Sequence, residues 1–159
     1  LAAIITCTKT GISGAIIIIV AHAFRSSALF ILANIHYETA HTRRIFLSKG
    51  LQVFAPTLTI WWFLFAIINM AAPPSINLLR EILIIMSILS FSFFSIILIG
   101  LTRFLTAAYS LYLYSSINHG PISLASNSTL VIPARYHTSL ILHILPPLLF
   151  ILKPEILIV

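Results

Sequence analysis

The stretch Met70-Ala71-Ala72-Pro73-Pro74-Ser75-Ile76-Asn77-Leu78-Leu79-Arg80-Glu81 interrupts a long apolar run with two consecutive prolines. A proline lacks the backbone N–H and clashes with the carbonyl four residues before it, so a helix arriving from Leu51 stops or kinks here. Ser75 is a suitable N-cap, and residues 76–89 contain neither glycine nor proline. The sequence therefore predicts a broken helix, with Glu81 in the second turn of its second half.

The composition is that of an integral membrane protein. Hydrophobic residues make up 60% of the 159 residues and charged residues only 8%, with a mean hydropathy of +1.10, whereas a soluble domain carries about 25% charged residues. A net charge of +6 indicates nucleic-acid binding in a soluble protein, but here it indicates loop charges that set membrane topology. The single cysteine, Cys7, excludes an internal disulfide and argues against a cysteine-based metal site.

The predicted fold class is all-α, a polytopic membrane helix bundle of about four spans. A hydrocarbon core of about 30 Å needs about 20 helical residues. Segment 52–88 is too long for one straight crossing. It forms either two spans joined by a tight Pro-Pro turn or one broken, tilted span with a non-helical interruption at 71–75. The predicted spans are 11–34, 52–88, 94–115 and 138–152.

Charge in the loops bears on that choice. Cytoplasm-equivalent loops carry an excess of Lys and Arg, which places the polar loop 35–50 on that side. The broken-span interpretation places loop 116–137, which carries Arg135 and no acid, on the same side, and the charge bias favours it. In loop 35–50 three basic residues outnumber Glu38: Arg43, Arg44 and Lys49.

The first span carries His22, Arg25 and Ser26. Their spacing of three and four residues places them on one helical face. Because polar groups are costly against lipid, that face is predicted to point into protein.

Three stretches resemble one family. AHAFRSSALFILAN (21–34) resembles the pattern His-Gly-x-x-Ser-Ser-x-x-Phe-x-x-Ala-Asn, and IINMAAPPSINLLREI (67–82) resembles Asn-x-Ala-x-Pro-Pro-x-x-Asn-Leu-Leu-Gly-Glu. LTAAYSLYLYS (105–115) resembles Thr-Ala-x-Tyr-Ser-Leu-Tyr. Together they resemble the mitochondrial NADH dehydrogenase subunit 4 family, the antiporter-like proton-pumping subunits of respiratory complex I.

The resemblance implies that residues 1–159 are a single membrane domain, the C-terminal part of a longer subunit of the mitochondrial inner membrane. In this family, protons cross through a line of buried ionisable groups at mid-membrane. His22 matches a histidine of that line and Glu81 its terminal carboxylate, while the earlier lysines and glutamate have no counterpart here. The His22 face is then expected to contact helices carrying a buried lysine.

The resemblance also implies the partners and cofactors. Other membrane subunits of complex I, including antiporter-like neighbours, and lipid are the expected partners, and nucleic acid is not. The chain is expected to bind neither NADH, flavin, iron–sulfur clusters nor quinone, so it carries no redox chemistry. Two other functions stay open: a cation/proton antiporter subunit outside respiration, and a purely structural membrane-arm subunit.

Each candidate site residue also has a structural interpretation. Glu81 is either a proton carrier or a structural group that bonds the broken backbone near Pro73. His22 titrates near neutral pH and suits proton transfer, but it could also be a neutral histidine bonded to a carbonyl. Asn69 and Asn77 flank the break and are expected to cap and brace it. Serines hold water or bond their own helix backbone, and histidines pack between helices; this concerns Ser26, Ser27 and His143.

Arg25, Arg80 and Arg103 lie inside apolar spans, where the family pattern has small residues. An arginine at mid-helix costs roughly 2.5–3.5 kcal/mol in a membrane, and Glu81 is the single acid in these spans. The chain also has 29 Ile against 2 Met. Either the arginines meet carboxylates or water from other helices, or the sequence was translated with an unsuitable genetic code, because several mitochondrial codes read AGA and AGG as Ser or Gly and AUA as Met.

Overall fold

The computed structural model describes residues 2–45, 49–73, 75–90, 92–121 and 132–154. Within those residues the chain forms seven α-helices and no strand, which confirms the all-α membrane bundle. The helices are α1 (Ala2–Ile5), α2 (Lys9–Ala40), α3 (Leu51–Phe54), α4 (Pro56–Asn69), α5 (Ile76–Leu89), α6 (Ser95–Asn118) and α7 (Ala134–Leu152).

Helix α2 is the axis of the bundle, and α4, α5 and α7 all pack against it. Its 32 residues measure about 48 Å at 1.5 Å per residue. The Thr8 hydroxyl caps its start by accepting the Gly11 N–H at 3.1 Å. At its end, His41 adopts a left-handed conformation with φ 50° and donates its N–H to the Tyr37 carbonyl.

The expectation that residues 35–50 form a loop is wrong for residues 35–40, which are helical. The Asn34 Nδ2 donates to Glu38 Oε1 at 2.9 Å, a pairing at the four-residue spacing that supports a helix. The Tyr136 hydroxyl also donates to Glu38 Oε2 at 2.7 Å. The polar residues of this segment therefore belong to the end of α2, where Glu38 bonds to Tyr136 of α7.

Helices α4 and α5 lie one after the other along α2, in the opposite direction. Leu58 and Phe65 of α4 share a core with Ala28, Leu32 and Ile35 near the C-terminal end of α2. Farther along, Ile76 at the start of α5 packs with Ile17 and Ala21. Residues at the end of α5 approach the other end of α2: the Cβ position of Gly14 is 3.0 Å from Ile84. Segment 56–89 thus forms two helices that follow one another along α2, as the broken-span interpretation expects.

The break itself is a helix C-terminus followed by an extended residue. Ala71 is left-handed with φ 58° and donates its N–H to the Ile68 carbonyl at 3.2 Å, while the Ala72 N–H reaches the Ile67 carbonyl at 3.2 Å. This pair of bonds is a Schellman motif, which satisfies carbonyls that a broken helix leaves open. Residues 70–73 and Ser75 are non-helical, as predicted, and Pro74 lies outside the described residues.

Ala71→Gly is expected to raise the free energy of unfolding by roughly 0.5–1 kcal/mol, because a left-handed conformation strains any residue with a Cβ. The thermal denaturation midpoint of the detergent-solubilised protein measures this. Ala72→Gly is the matched control, since Ala72 has no positive φ, and glycine there is expected to be neutral or destabilising. Equal shifts in both variants would show that the Ala71 backbone is not strained.

Two further boundaries differ from the prediction. The predicted second span begins as a separate short helix, α3, because Ala55 leaves the helical region with φ −142° and ψ 73°. Ala55 precedes Pro56, and a residue before proline is disfavoured in the helical region. The last span begins at Ala134 rather than Thr138, and its helix continues through Pro146 and Pro147.

Three of the helices, α2, α6 and α7, are long and apolar enough to cross a membrane. The fourth predicted span corresponds to α4 and α5 together, which have 14 residues each. The region after α2 and the region between α6 and α7 lie at the same end of the bundle. At this end Trp61 Nε1 also donates to His137 Nδ1 at 2.9 Å. We call this the basic end; it comprises residues 37–45, 49–50, 114–120 and 132–137, with Arg43, Arg44, Lys49 and Arg135.

Candidate functional site

Glu81 lies on α5 between α2 and α6, 15% exposed at its side chain. Its Oε1 accepts Arg103 Nη1 of α6 at 2.8 Å, and Arg80 Nη2 is 3.7 Å from the same oxygen. Both of these distances are to the same carboxylate oxygen. The carboxylate therefore joins α5 to α6.

Asn77 connects the carboxylate site to the break. It is 1% exposed; its Nδ2 donates to the Ile68 carbonyl at 2.5 Å, and its Oδ1 accepts Arg80 Nε at 3.0 Å. The bracing role predicted for Asn77 is confirmed. In the described residues Asn69 makes no such side-chain bond and lines a cavity, so its bracing role stays a prediction.

Ser75 begins α5 from an extended conformation, with φ −129° and ψ 147°. Its hydroxyl makes no capping bond, and its Oγ is buried without a partner in the described part of the chain. The predicted N-cap position is therefore correct, but its side-chain bond is not formed. The N-terminus of α5 keeps N–H groups that Ser75 does not satisfy.

Replacing Asn77 by alanine is expected to destabilise the protein by about 1–3 kcal/mol, because the Ile68 carbonyl and the Arg80 guanidinium each lose a buried partner. Asn69→Ala removes an amide of the same size on the other side of the break and is expected to change stability by less than about 0.5 kcal/mol. Denaturation midpoints of the two variants in the same detergent test this. Equal losses would contradict a bracing role for Asn77.

His22 bonds Arg25 one turn along α2, with Arg25 Nη2 at 2.8 Å from His22 Nδ1. A guanidinium only donates, so Nδ1 is the acceptor and the imidazole proton is on Nε2. The shared face predicted for His22 and Arg25 is confirmed by this bond. Within this chain, however, His22 is exposed, and it makes no hydrogen bond to Glu81 in the described residues.

Three guanidinium groups surround one carboxylate. Arg25 lies within electrostatic range of both Glu81 and Arg103, and Arg80 is 6% exposed. Glu81 therefore partners Arg103 and Arg80, whereas Arg25 bonds His22. The cluster formed by His22, Arg25, Arg80, Glu81 and Arg103 has a net charge of two positive units.

A cavity of about 460 Å³ lies between α2, α4 and α6. It extends from Tyr37 and Arg43 at the basic end to Ser26 and Asn69 beside the break. Trp62 lines it, and the Trp62 Nε1–H is buried without a partner in the described residues. The spacing of apolar residues in the sequence does not predict this cavity, because the cavity depends on how α2, α4 and α6 diverge. Trp62 is 5% exposed, so it packs in the core.

The other polar side chains make local bonds. Ser27 Oγ donates to the Ala23 carbonyl at 2.8 Å, and Ser26 Oγ to the same carbonyl at 3.3 Å. His143 Nδ1 is 2.7 Å from the Ser139 carbonyl. The two serines bond their own helix, as the structural interpretation expects, and His143 likewise bonds its own helix. No group of three metal-ligating side chains occurs in the ranges that the structure describes.

Comparison with known proteins identifies relatives. NADH-ubiquinone oxidoreductase chain 4 of Lumbricus terrestris is 53% identical over 146 residues, covering 92% of this chain and 32% of the relative. The protein of the same name from Polypterus ornatipinnis is 42% identical over 149 residues, covering 94% and 32%. That from Bothriechis lateralis is 43% identical over 157 residues, covering 99% and 68%.

The chain thus spans about a third of the length of the first two relatives. The sequence model of the family described as "NADH:quinone oxidoreductase/Mrp antiporter, TM" matches residues 1–106. That match includes the broken helix, Glu81, His22 and all three arginines of the cluster. The chain therefore belongs to the NADH:quinone oxidoreductase/Mrp antiporter family of membrane proteins.

Proposed function

We propose that this chain carries part of the proton pathway in a membrane subunit of proton-translocating NADH:ubiquinone oxidoreductase. The observation that carries the proposal is Glu81, a carboxylate placed after a helix break in an apolar bundle, with Oε1 paired to Arg103. Broken helices line ion sites in membrane transporters. An ionisable group at membrane depth costs free energy, so its presence there points to a functional site.

Glu81 and His22 are the proposed proton carriers. A proton binds Glu81 at Oε2, or at Oε1 once Arg103 Nη1 has moved away. His22 takes a proton at Nδ1 only when Arg25 releases that nitrogen. Because Arg25 also lies within electrostatic range of Glu81, movement of one guanidinium couples the charges of the two sites.

The cavity supports a water route from the basic end to the break. A volume of about 460 Å³ exceeds the share of several waters, each about 30 Å³. Its polar groups include Ser26, Asn69 and the unpaired Trp62 Nε1–H. Ser26 directly follows Arg25, so water at that end of the cavity lies next to the cluster.

The proposed location is the mitochondrial inner membrane, with several crossings. Lys and Arg mark the cytoplasm-equivalent side, so the basic end faces the matrix. The proposed partners are other membrane subunits of complex I, including antiporter-like neighbours, and lipid. The chain is proposed to bind no NADH, flavin, iron–sulfur cluster or quinone, so that its contribution to the enzyme is proton transfer alone.

The test is the double variant Glu81→Gln with Arg103→Gln in the assembled complex. It removes both charges of the ion pair, so assembly is expected to persist while proton pumping and the coupled NADH oxidation fall. Glu38→Gln is the control, because Glu38 lies at the basic end with Asn34 and Tyr136 and pumping is expected to continue. Full pumping in the double variant would exclude Glu81 as a carrier and leave a structural role.

A cation/proton antiporter subunit outside respiration is the second candidate, because the family description includes Mrp antiporters. The carboxylate site serves either function. Co-purification of the chain with redox subunits supports the respiratory assignment, and isolation with antiporter subunits alone supports the second candidate.

A further inference from the structure

Helix α2 has a second face, opposite its buried one. Its exposed residues repeat at three- and four-residue intervals and so form one stripe. The stripe, called the His22 face, contains Ile19, His22, Ala23, Phe30, Ala33 and Asn34. An imidazole, an amide and two alanines suit contact with another membrane helix, since small and polar residues are enriched where membrane helices meet.

Helix α6 gives the contrast within the same chain. One stripe of its exposed surface carries the bulky apolar residues Ile97, Leu98, Leu101, Phe104 and Leu105, whereas Gly100, Thr102 and Thr106 are exposed outside that stripe. The bulky stripe suits lipid.

The cluster beneath the His22 face holds three guanidinium groups and one carboxylate. Glu81 pairs with Arg103 and Arg80, whereas Arg25 bonds neutral His22. Glu38 is bonded at the basic end, and Glu155 lies outside the described residues. A guanidinium at membrane depth is stabilised by a carboxylate within hydrogen-bonding distance.

We propose that the His22 face binds a transmembrane helix that places an aspartate or glutamate against Arg25. This rests on the proposed membership in a larger membrane subunit, and the relatives, of which the chain spans about a third, have room for such a helix. The same carboxylate is within reach of the His22 Nε2–H, which has no partner in the described residues. The family resemblance implies a lysine near this face, but a lysine alone adds a fourth positive charge.

An anionic lipid headgroup does not reach Arg25 and so cannot be its counterion. Arg25 is 16 residues from the start of α2 and 15 from its end, about 22–24 Å along the axis in either direction. Headgroups lie at the membrane surface, whereas Arg25 lies at the middle of the helix. The counterion is therefore a protein side chain.

The test uses cysteine variants carrying benzophenone-maleimide in the assembled membrane protein, with Cys7→Ser as background. Ala23→Cys samples the His22 face, and Phe104→Cys samples α6. We expect position 23 to cross-link to a transmembrane peptide with an Asp or Glu within one helical turn of the link, and position 104 to label lipid. Lipid labelling alone at position 23, or a linked helix without an acid, would overturn the proposal.

Charge reversal then tests the pairing. Arg25→Glu is expected to reduce the position-23 cross-link at least fivefold, and changing the acid of the linked helix to arginine is expected to restore it. Failure of that restoration overturns the pairing. Glu155→Gln is expected to leave the cross-link unchanged, and its loss would assign the counterion to this chain. The Glu81→Gln, Arg103→Gln variant separates the two proposals, because it is expected to lose pumping while it keeps the cross-link.

Peptide mass spectrometry completes the test. Trypsin cleaves after arginine, so peptides ending at Arg25, Arg80 and Arg103 are expected. Serine or glycine masses at these positions would show that the gene uses a different code, and the proposed counterion would then be unnecessary.

Discussion

Glu81→Gln alone is expected to lower the free energy of unfolding by about 3 kcal/mol, the low end for removing one partner of a buried ion pair. The loss arises because Arg103 and Arg80 both depend on Glu81 Oε1, at 2.8 and 3.7 Å. The low end applies because the Arg103 side chain is 36% exposed. Denaturation of the solubilised protein, followed by loss of helical signal, measures the change.

The double variant Glu81→Gln, Arg103→Gln is expected to recover most of that stability, since it removes the unpaired charge together with its partner. Arg103→Gln alone completes the cycle and leaves Glu81 with Arg80. A pumping defect in Glu81→Gln alone therefore mixes two effects, lost stability and lost proton binding. If the single and double variants lose equal stability, Arg103 does not depend on Glu81.

Gly14→Val is expected to cost about 1–3 kcal/mol or more, the range for overpacking a close contact. A Cβ at Gly14 meets Ile84 Cγ1 at 3.0 Å and Leu83 Cβ at 3.4 Å. Because α2 and α5 approach closely here, added methyl groups force the two helices apart. Close approach through small residues is a principal source of helix association in membranes.

Gly100→Val is the matched control, since a Cβ at Gly100 meets nothing within 4 Å. It is expected to be neutral or mildly stabilising, because glycine is a poor residue in a helix interior. The two variants are compared by denaturation midpoint and by the yield of folded protein. A larger loss for the Gly100 variant would contradict the packing of α2 on α5.

The broken helix was predictable because proline acts on its own backbone, whatever surrounds it. Ala55 has a signal of the same kind, because it directly precedes Pro56. Residues 35–40 were assigned to a loop because they are polar, yet their helix is stabilised by Tyr136, 98 positions from Glu38. Local chemistry thus predicted the interruptions, whereas the ends of helices depended on distant partners.

The site shows the same division. Because Glu81 is the single acid in the predicted spans, any arginine of these spans that pairs with an acid inside them pairs with Glu81. Which arginine takes the shorter bond depends on the register of α5 against α6, which no spacing in the sequence specifies. The bracing by Asn77 followed from its place beside the break, but its bond to Ile68 depends on the turn formed by Ala71. His22 and Glu81 as proton carriers stay a prediction.

The division of segment 56–89 into α4 and α5 bears on how the chain enters the membrane during synthesis. Each half has 14 residues, about 21 Å, and neither alone reaches across about 30 Å of hydrocarbon. A translocon that releases helices one at a time would therefore retain α4 until α5 has emerged. Both halves pack along α2. We therefore expect α2 to stay beside the lateral opening of the translocon until α4 and α5 have packed against it.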